Sequence, residues 1–332
     1  MEALLIDEWV PDEDAILVID EASVVVARQH ARETAQRLGM SVEDSERLAA
    51  IAAELGMNQV RHAGTGRIAI RTSARGVEIV AADRGRGIAD IPSALAGVPR
   101  PTGSLGVGIA AVREHADEVD FDVRLGEGTC IAARKLLPGV PRMREIGIFG
   151  RPYPGEPRSG DHAAVRRDER SITLALCDGL GHGVAARQAS GTAIDAFQRS
   201  TAPSPTAMLE DCHEAVGPTR GGVMAIARIE SGNVEVASIG NITVEIVAPR
   251  KVHRFGGSSF VLGSPQRGRK TAADSRPIAD DASLVLFTDG LGTRLSIEEE
   301  LLLLRQHPIA IAYELVSRYA KDHDDALVIV VR

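Results

Sequence analysis

The sequence predicts an α+β chain of two domains, each a layered arrangement of sheet and helix, and three observations predict it. At 332 residues the chain is longer than one hydrophobic core usually organises. A stretch crowded with Pro and Gly, LLPGVPRMREIGIFGRPYPGEPRSGD, reads as a linker. Ahead of it helices and strands are mixed, and behind it short strands outnumber helices, as in layered sheets covered by helices. The division places one domain at 1–137 and the other at 138–332.

In the first domain, ILVID reads as a strand feeding the helix SVVVARQHARETAQRLGM, which stops near Gly39. A second helix opens on Ser41 with Asp44 three residues on, a capping-box start, and keeps apolar positions at helical spacing to Gly64. GRIAIRT and GVEIVAAD alternate as a hairpin pair. From Ile88 to Ser104 the chain is rich in Pro, Gly and Ala and has no clear period, so a long loop is expected. GVGIAAVREHADEV then reads as a helix and FDVRLGEGTCIAARK as two strands around a Gly turn. In the second domain HAAVRRDE, SITLALCD, GGVMAIARIE, GNVEVASIG, ITVEIVA, ASLVLF and DALVIVVR read as strands, with helices near 183–200 and 297–320.

Composition excludes several classes. A net charge of −8 argues against a nucleic-acid grip, and 3% aromatic residues leave little for base stacking. Cys130, Cys177 and Cys212 are scattered without a Cys-x-x-Cys pair, which suits a reducing cytoplasm and offers no zinc signature. The start of the chain, MEALLIDEWVPDED, is acidic where a signal peptide is basic. No apolar run reaches the ~18 residues of a membrane span. The expectation is a cytoplasmic protein with no membrane segment.

Three features of the first domain belong to nucleotide chemistry when taken in order. Glu54 and Asn58 lie four apart on one helix face. DRGRGI, with Asp83, Gly85 and Gly87, follows a strand. TGSLGVGIAAV sets Gly103, Gly106 and Gly108 just before a helix, where free backbone N–H groups favour phosphate. This set resembles the GHKL ATPase family over about residues 12–135: ELGMNQVRHAGTGRI is similar to its N box, DRGRGI to its G1 box and TGSLGVGIAAV to its G2 box, with Gly128-Thr129 at a closing position. VARQHARETAQRLGMS is similar to the RsbT-type switch kinases of bacterial partner-switching systems. The resemblance implies a Bergerat-type α/β sandwich that binds ATP. Asp83 would read the adenine amino group, Asn58 would ligate Mg²⁺ on the phosphates, and Glu54 would be the base; Thr129 and the glycines would border the nucleotide. The loop from about Ile88 to Gly106 would be the lid. Arg61 and His62 lie one turn beyond Asn58, where they could touch phosphate, although partner contact or plain solvation is the stronger reading.

The second domain twice ends an apolar strand on Asp-Gly: Asp178-Gly179 after SITLALC and Asp289-Gly290 after ASLVLFT. Asp-Gly is also the commonest tight-turn dipeptide. Asp161 opens one further strand and Asp324-Asp325 stand just before another. Carboxylates gathered at strand mouths are costly without cations, and an oxygen-only set selects Mg²⁺ or Mn²⁺ over zinc. The order Gly-Asp, Asp-Gly-x-Gly-His-Gly, Thr-Asp-Gly, Asp-Asp resembles the metal-dependent PPM-type phosphatases in their SpoIIE-like branch. RPYPGEPRSGD adds a likeness to the RsbX type, over about 143–332. The resemblance implies an α-β-β-α sandwich with two Mn²⁺ or Mg²⁺ ions. Asp178 would bridge them with the Gly179 carbonyl also contributing, Asp161 would serve one, and Asp289 and Asp324 the other, with Asp325 as the alternative to Asp324. His182 is a candidate acid or a helix-start packing residue, and Cys177 a core residue. The chain is short between Asp211 and Gly240, without an obvious flap, so substrate selection would fall to the first domain or to the partner.

Together the resemblances imply a bifunctional switch enzyme. The first domain would phosphorylate a serine or threonine on a STAS-domain antagonist or stressosome protein, the second would remove that phosphate, and a sigma factor could stand downstream. The alternative is a phosphatase whose first domain only binds ATP and docks the partner. A pure binder would have no use for the full acidic set, and a zinc hydrolase lacks ligands.

Overall fold

In the computed structural model, residues 15–97, 108–249, 251–264, 271–292, 295 and 303–332 are described. Contacts divide the chain into two compact units, with the border between Gly147 and Ile148. Residues just ahead of that border belong to the first unit: the Met143 N–H donates to Glu118 and the Ile146 N–H to Asp120.

The first unit begins with β1 (Ala15–Val18) and α1 (Glu21–Arg37). Asp20 caps α1 by accepting from the Ser23 N–H at 2.8 Å, so the helix starts two residues earlier than its apolar pattern suggests. α2 (Val42–His62) is capped by Ser41, whose hydroxyl accepts from the Asp44 N–H, and buries Leu48, Ile51, Ala52 and Leu55 along one stripe. β2 (Gly66–Ser73) and β3 (Gly76–Asp83) form the expected hairpin. The expected loop after Ile88 holds a short helix in its described part, α3 (Ile91–Ala96). Asp90 caps it, Pro92 fits its first turn, and Gly97 ends it in the left-handed region. α4 (Gly108–His115), β4 (Glu118–Arg124) and β5 (Gly128–Leu136) follow. The strands run β1-β2-β3-β5-β4, every pair antiparallel, with α1 and α2 packed against the sheet.

The second unit is two sheets with helices outside. β6 (Ile146–Arg151) lies inside the stretch read as a linker, its Gly-rich sequence hiding a fully paired, mostly buried strand. β7 (Asp161–Arg167), β8 (Ser171–Gly179), β9 (Gly222–Glu230), β10 (Asn233–Ile239) and β13 (Asp274–Pro277) make one sheet, in the order β13-β10-β9-β8-β7. The other contains β11 (Thr243–Ala248), β12 (Lys251–Arg254), β14 (Ser283–Phe287) and β15 (Ala326–Val331), in the order β6-β15-β14-β11-β12. α5 (Gly183–Arg199) and α6 (Pro205–Val216) cover the first sheet, and α7 (Pro308–Tyr319) packs on β15. α6 was not anticipated; Ser204 caps it and Pro205 occupies its first turn. The helix expected over 297–320 begins, in its described part, only at Pro308 after a short 3₁₀ turn at Leu303–Arg305, because a proline fits a first turn and not a helix interior. The fold is the predicted α+β pair, an α/β sandwich followed by an α-β-β-α sandwich.

Strand alternation aims the site. Ala175 and Cys177 of β8 enter the core beneath α5 and α6, with Phe197, Leu209 and Met224. Asp178 therefore has the parity of the residues facing the opposite sheet. Ala164 of β7 also joins that helix-side core, so Asp161 shares the inter-sheet parity.

Candidate functional site

In the first unit, Asp83 ends β3 between two partner strands, opposite Gly66 on one side and Thr129 on the other. Its carboxylate accepts from the Gly85 N–H at 2.8 Å and from the Thr129 main chain. Burial still dominates and raises its pKa to about 6. Glu54 and Asn58 face the start of α4: a Cβ on Gly108 would stand 2.9 Å from Glu54 Oε2 and 3.3 Å from Asn58 Oδ1. A cavity of about 280 Å³ gathers Glu54, Asn58, Asp83, Gly85, Gly87, Gly108 and Thr129, with Leu55, Ile88 and Ile131 among its apolar walls. A half-buried acceptor at one end and Glu54, Asn58 and a helix start at the other suit a heterocycle carrying phosphates. Arg61 and His62 also border the cavity. Gly103 and Gly106 lie outside the described residues.

In the second unit Asp161 and Asp178 are direct cross-strand partners in the β7–β8 register. Asp161 is 2% exposed; burial, then the neighbouring Asp178, push its carboxyl well above the usual range. Thr288, just past β14 on the opposite sheet, donates to Asp161 Oδ2 at 2.7 Å and accepts from the Leu327 N–H at 3.2 Å. Asp178 is raised to about 7 by burial, then by the charges of Asp289, Asp324 and Asp325. Asp289 is held by the Asn241 amide at 2.9 Å. Arg187 donates to the Asp161 main-chain carbonyl at 3.4 Å, and Lys321 Nζ stands 3.8 Å from Asp324.

The two neighbouring aspartates differ. Asp325 is 3% exposed and has both carboxylate oxygens engaged, Oδ1 by the Tyr153 N–H at 2.7 Å and Oδ2 by the Gly160 N–H at 3.0 Å. Burial raises its pKa, and these bonds with Ser159 pull it down. Asp324 has a 36% exposed side chain.

Both Asp-Gly pairs have a steric reason. A Cβ on Gly179 would stand 2.0 Å from the Ala186 carbonyl oxygen, and one on Gly290 would stand 1.6 Å from the Asp325 carbonyl oxygen. Glycine lets the α5 start and the β15 approach close over the strand ends.

Residues 17–135 match the family described as the histidine kinase-like ATPase domain, and residues 168–332 match the stage II sporulation protein E (SpoIIE) family. The serine/threonine-protein kinase RsbT of Bacillus subtilis (strain 168) is 35% identical over 130 residues, which cover 38% of this chain and 98% of RsbT. The chain belongs to the RsbT family, with a SpoIIE-type domain behind it.

The phosphoserine phosphatase RsbX of the same organism is 24% identical over 141 residues, 41% of this chain and 69% of RsbX. A crystal structure of RsbX in complex with magnesium covers 57% of this chain and 96% of its own, at 21% identity and a TM-score of 0.51. A solved structure from the bacterial stressosome, a modular system adapted to control secondary messenger signalling, covers 57% of this chain and 100% of its own, at 27% identity and a TM-score of 0.53. The second domain is a PPM-type serine/threonine phosphatase domain.

The SpoIIE-type domain gathers Asp161, Asp178, Asp289, Asp324 and Asp325 into one group of mutually repelling carboxylates. Among the described residues no three acidic, His or Cys side chains stand close enough together to hold a metal ion as they are placed. The chemistry of the donors still fits a divalent cation: oxygen only, with Asp161 and Asp178 both raised above the usual carboxylate range by burial and then by neighbouring acids, Asp178 to about 7. Thr288 and Asn241, which hold two of the aspartates, were not foreseen. Thr288 directly precedes Asp289, but Asn241 is brought in only by the pairing of β11 with β14. In the RsbT-type domain Gln59 was also missed; it is 2% exposed and its amide donates to the Arg67 and Ala82 carbonyls, tying α2 to β2 and β3 beside Asp83.

Proposed function

We propose that the chain is a bifunctional partner-switching regulator that sets the phosphorylation state of a STAS-domain protein in the cytoplasm. The SpoIIE-type half, 138–332 in the sequence division, removes phosphate from a serine or threonine. The RsbT-type half, 1–137, adds it from ATP. The observation that carries the reading is the group of five carboxylates at the sheet ends, Asp161, Asp178, Asp289, Asp324 and Asp325, which raise one another's pKa.

Asp161, Asp178, the Gly179 carbonyl, Asp289 and Asp324 are the proposed holders of two Mn²⁺ or Mg²⁺ ions. Bound there, such ions neutralise phosphate charge and activate water. Asp325 is left out of the ligand set because main-chain donors already occupy both its oxygens. Thr288 and Asn241 orient the ligands from behind. In the first half, Asp83 accepts the adenine amino group, and Asn58 and the α4 start face the phosphates with Mg²⁺. Glu54 takes the proton of the partner hydroxyl, since phosphoryl transfer asks mainly for positioning and charge neutralisation. The kinase assignment is supported by the 35% identity to a protein named a serine/threonine-protein kinase.

The test follows a purified STAS-domain protein by phosphate-affinity electrophoresis. The full chain with ATP and Mg²⁺ should phosphorylate it, and Glu54→Gln should abolish that while retaining ATP binding. The full chain with Mn²⁺ should dephosphorylate the phosphoprotein and p-nitrophenyl phosphate, and Asp178→Ala should abolish both. ATP binding without phosphorylation would leave the first domain a nucleotide-dependent dock. Folded protein inactive with Mn²⁺ on both phosphorylated substrates would overturn the phosphatase half.

A further inference from the structure

The turn between α6 and β9, residues 217–221, is seated against the strand end that carries Asp178 and Gly179. Gly222 of β9 stands opposite Gly179 in the register, and the Leu180 N–H donates to the Gly221 carbonyl at 3.1 Å. The Leu262 N–H donates to the Gly222 carbonyl at 2.7 Å, and within the turn Thr219 Oγ1 accepts from the Gly221 N–H at 3.1 Å. A segment tied at three points holds the side chain it carries in one place.

That side chain is Arg220. It is exposed, and its one hydrogen bond among the described residues runs from Nη1 to the Leu180 carbonyl at 2.9 Å. No described carboxylate pairs with it, although the acidic group begins two residues before Leu180, at Asp178. Gly181 makes room for it: at φ +81° the residue is bare, and a Cβ there would stand 2.9 Å from Arg220 Nη1. An arginine that only balanced charge would sit on a carboxylate, as Arg124 sits on Asp122. Anchored on a carbonyl instead, the guanidinium keeps its full charge and most of its N–H donors for a second acceptor.

We propose that Arg220 clamps the phosphoryl group of the substrate. This rests on the phosphatase reading above and adds to it the residue that grips the phosphate itself. A phosphoserine brings a dianion to a mouth lined by carboxylates. A guanidinium fixed at the rim offsets their repulsion and offers coplanar N–H groups to two phosphate oxygens. Its anchor, Leu180, is the residue after Gly179, so the phosphate at the acidic group is a nearer anion than a neighbouring substrate side chain. The clamp holds the phosphoryl group alike before and during transfer, so its loss reads in KM and leaves kcat.

The test uses the Mn²⁺-loaded full chain with p-nitrophenyl phosphate and a phosphoserine peptide as substrates and inorganic phosphate as competitor. Arg220→Gln removes the charge but keeps an amide donor. It should raise KM for both substrates about tenfold or more and weaken inhibition by inorganic phosphate by the same factor. The change in kcat should stay below about threefold. Arg220→Lys, a point charge without the fork, should recover part of the loss. Mn²⁺ affinity, titrated calorimetrically, should keep its wild-type value in both variants. Unchanged KM and phosphate inhibition would overturn the proposal. A loss confined to the peptide would overturn it too, by marking a flanking carboxylate as the anion that is read. A matching loss of Mn²⁺ affinity would do the same, by marking Arg220 as a brace for the turn. In these three cases the phosphatase stands, whereas a wild type inactive on both substrates would overturn the phosphatase reading and this proposal with it.

Discussion

Replacing Asp83 by Asn removes a charge that the first domain holds at a cost. Burial raises that carboxyl from 3.8 to about 6, and at ~1.36 kcal/mol per pKa unit this is on the order of 3 kcal/mol of stability forgone above pH 6. The sign follows from proton binding. Between about pH 4 and 6 the folded domain holds a proton on Asp83 that the unfolded chain has released, so this contribution falls as pH rises through the window and is flat beyond it. Asn keeps an acceptor for the Gly85 N–H but turns an amide N–H toward one of the remaining donors. That mismatch costs about 1–2 kcal/mol, and the net gain at neutral pH is about 1–2 kcal/mol.

On the proposed reading of Asp83 as the adenine acceptor, the same amide would oppose the adenine amino group, donor against donor, and ATP affinity should fall by roughly 100-fold. Thermal unfolding of wild type and Asp83→Asn in EDTA, from pH 4 to pH 8, gives the stability difference at each pH and cancels the titrations of the second domain. Calorimetric titration with ATP gives the affinity. A variant that keeps the wild-type pH slope between pH 4 and 6, or binds ATP equally well, would show that Asp83 is neither the strained buried group nor the adenine reader.

Two further substitutions test the geometry of the phosphatase half. Gly290→Ala places a methyl group 1.6 Å from the Asp325 carbonyl oxygen, so it should destabilise the second domain by about 3 kcal/mol or more, read as a lowered denaturant midpoint; an unchanged midpoint would mean the β14 and β15 ends do not close on one another. Thr288→Val keeps the shape but removes the donor to Asp161, which should cost about 1–3 kcal/mol and weaken Mn²⁺ binding about tenfold, measured by isothermal titration; full retention of Mn²⁺ affinity would remove Thr288 from the site.

Much of this was legible because strand ends and caps are local. SITLALCD and ASLVLFTD announce their buried strands and the acids that end them, and Ser41 with Asp44 announces α2. What escaped depends on pairing between distant segments. β6 hides among glycines because its stability comes from β15, far along the chain. Asn241 and Thr288 meet their aspartates only through the register of β11, β14 and the facing sheet. Asp324 and Asp325 cannot be told apart by spacing, whereas the main-chain donors of Tyr153 and Gly160 separate them at once.

The two halves share one electrostatic logic at different scale. The first buries a single carboxylate whose ionisation opposes folding, and the second crowds several whose ionisation opposes one another. In each, the acids are held by hydrogen bonds from Gly85, Thr129, Thr288 and Asn241, which fix their direction without neutralising them. Direction without neutralisation is what a binding site needs, because the missing compensation is left for a ligand to supply. An amino group suits one acceptor, and a crowd of mutually repelling acids suits dications. The difference in charge density between the halves therefore supports the proposed nucleotide cavity in one and metal site in the other, whereas the buried Asp120 and Asp122 already have partners of their own in Arg134 and Arg124.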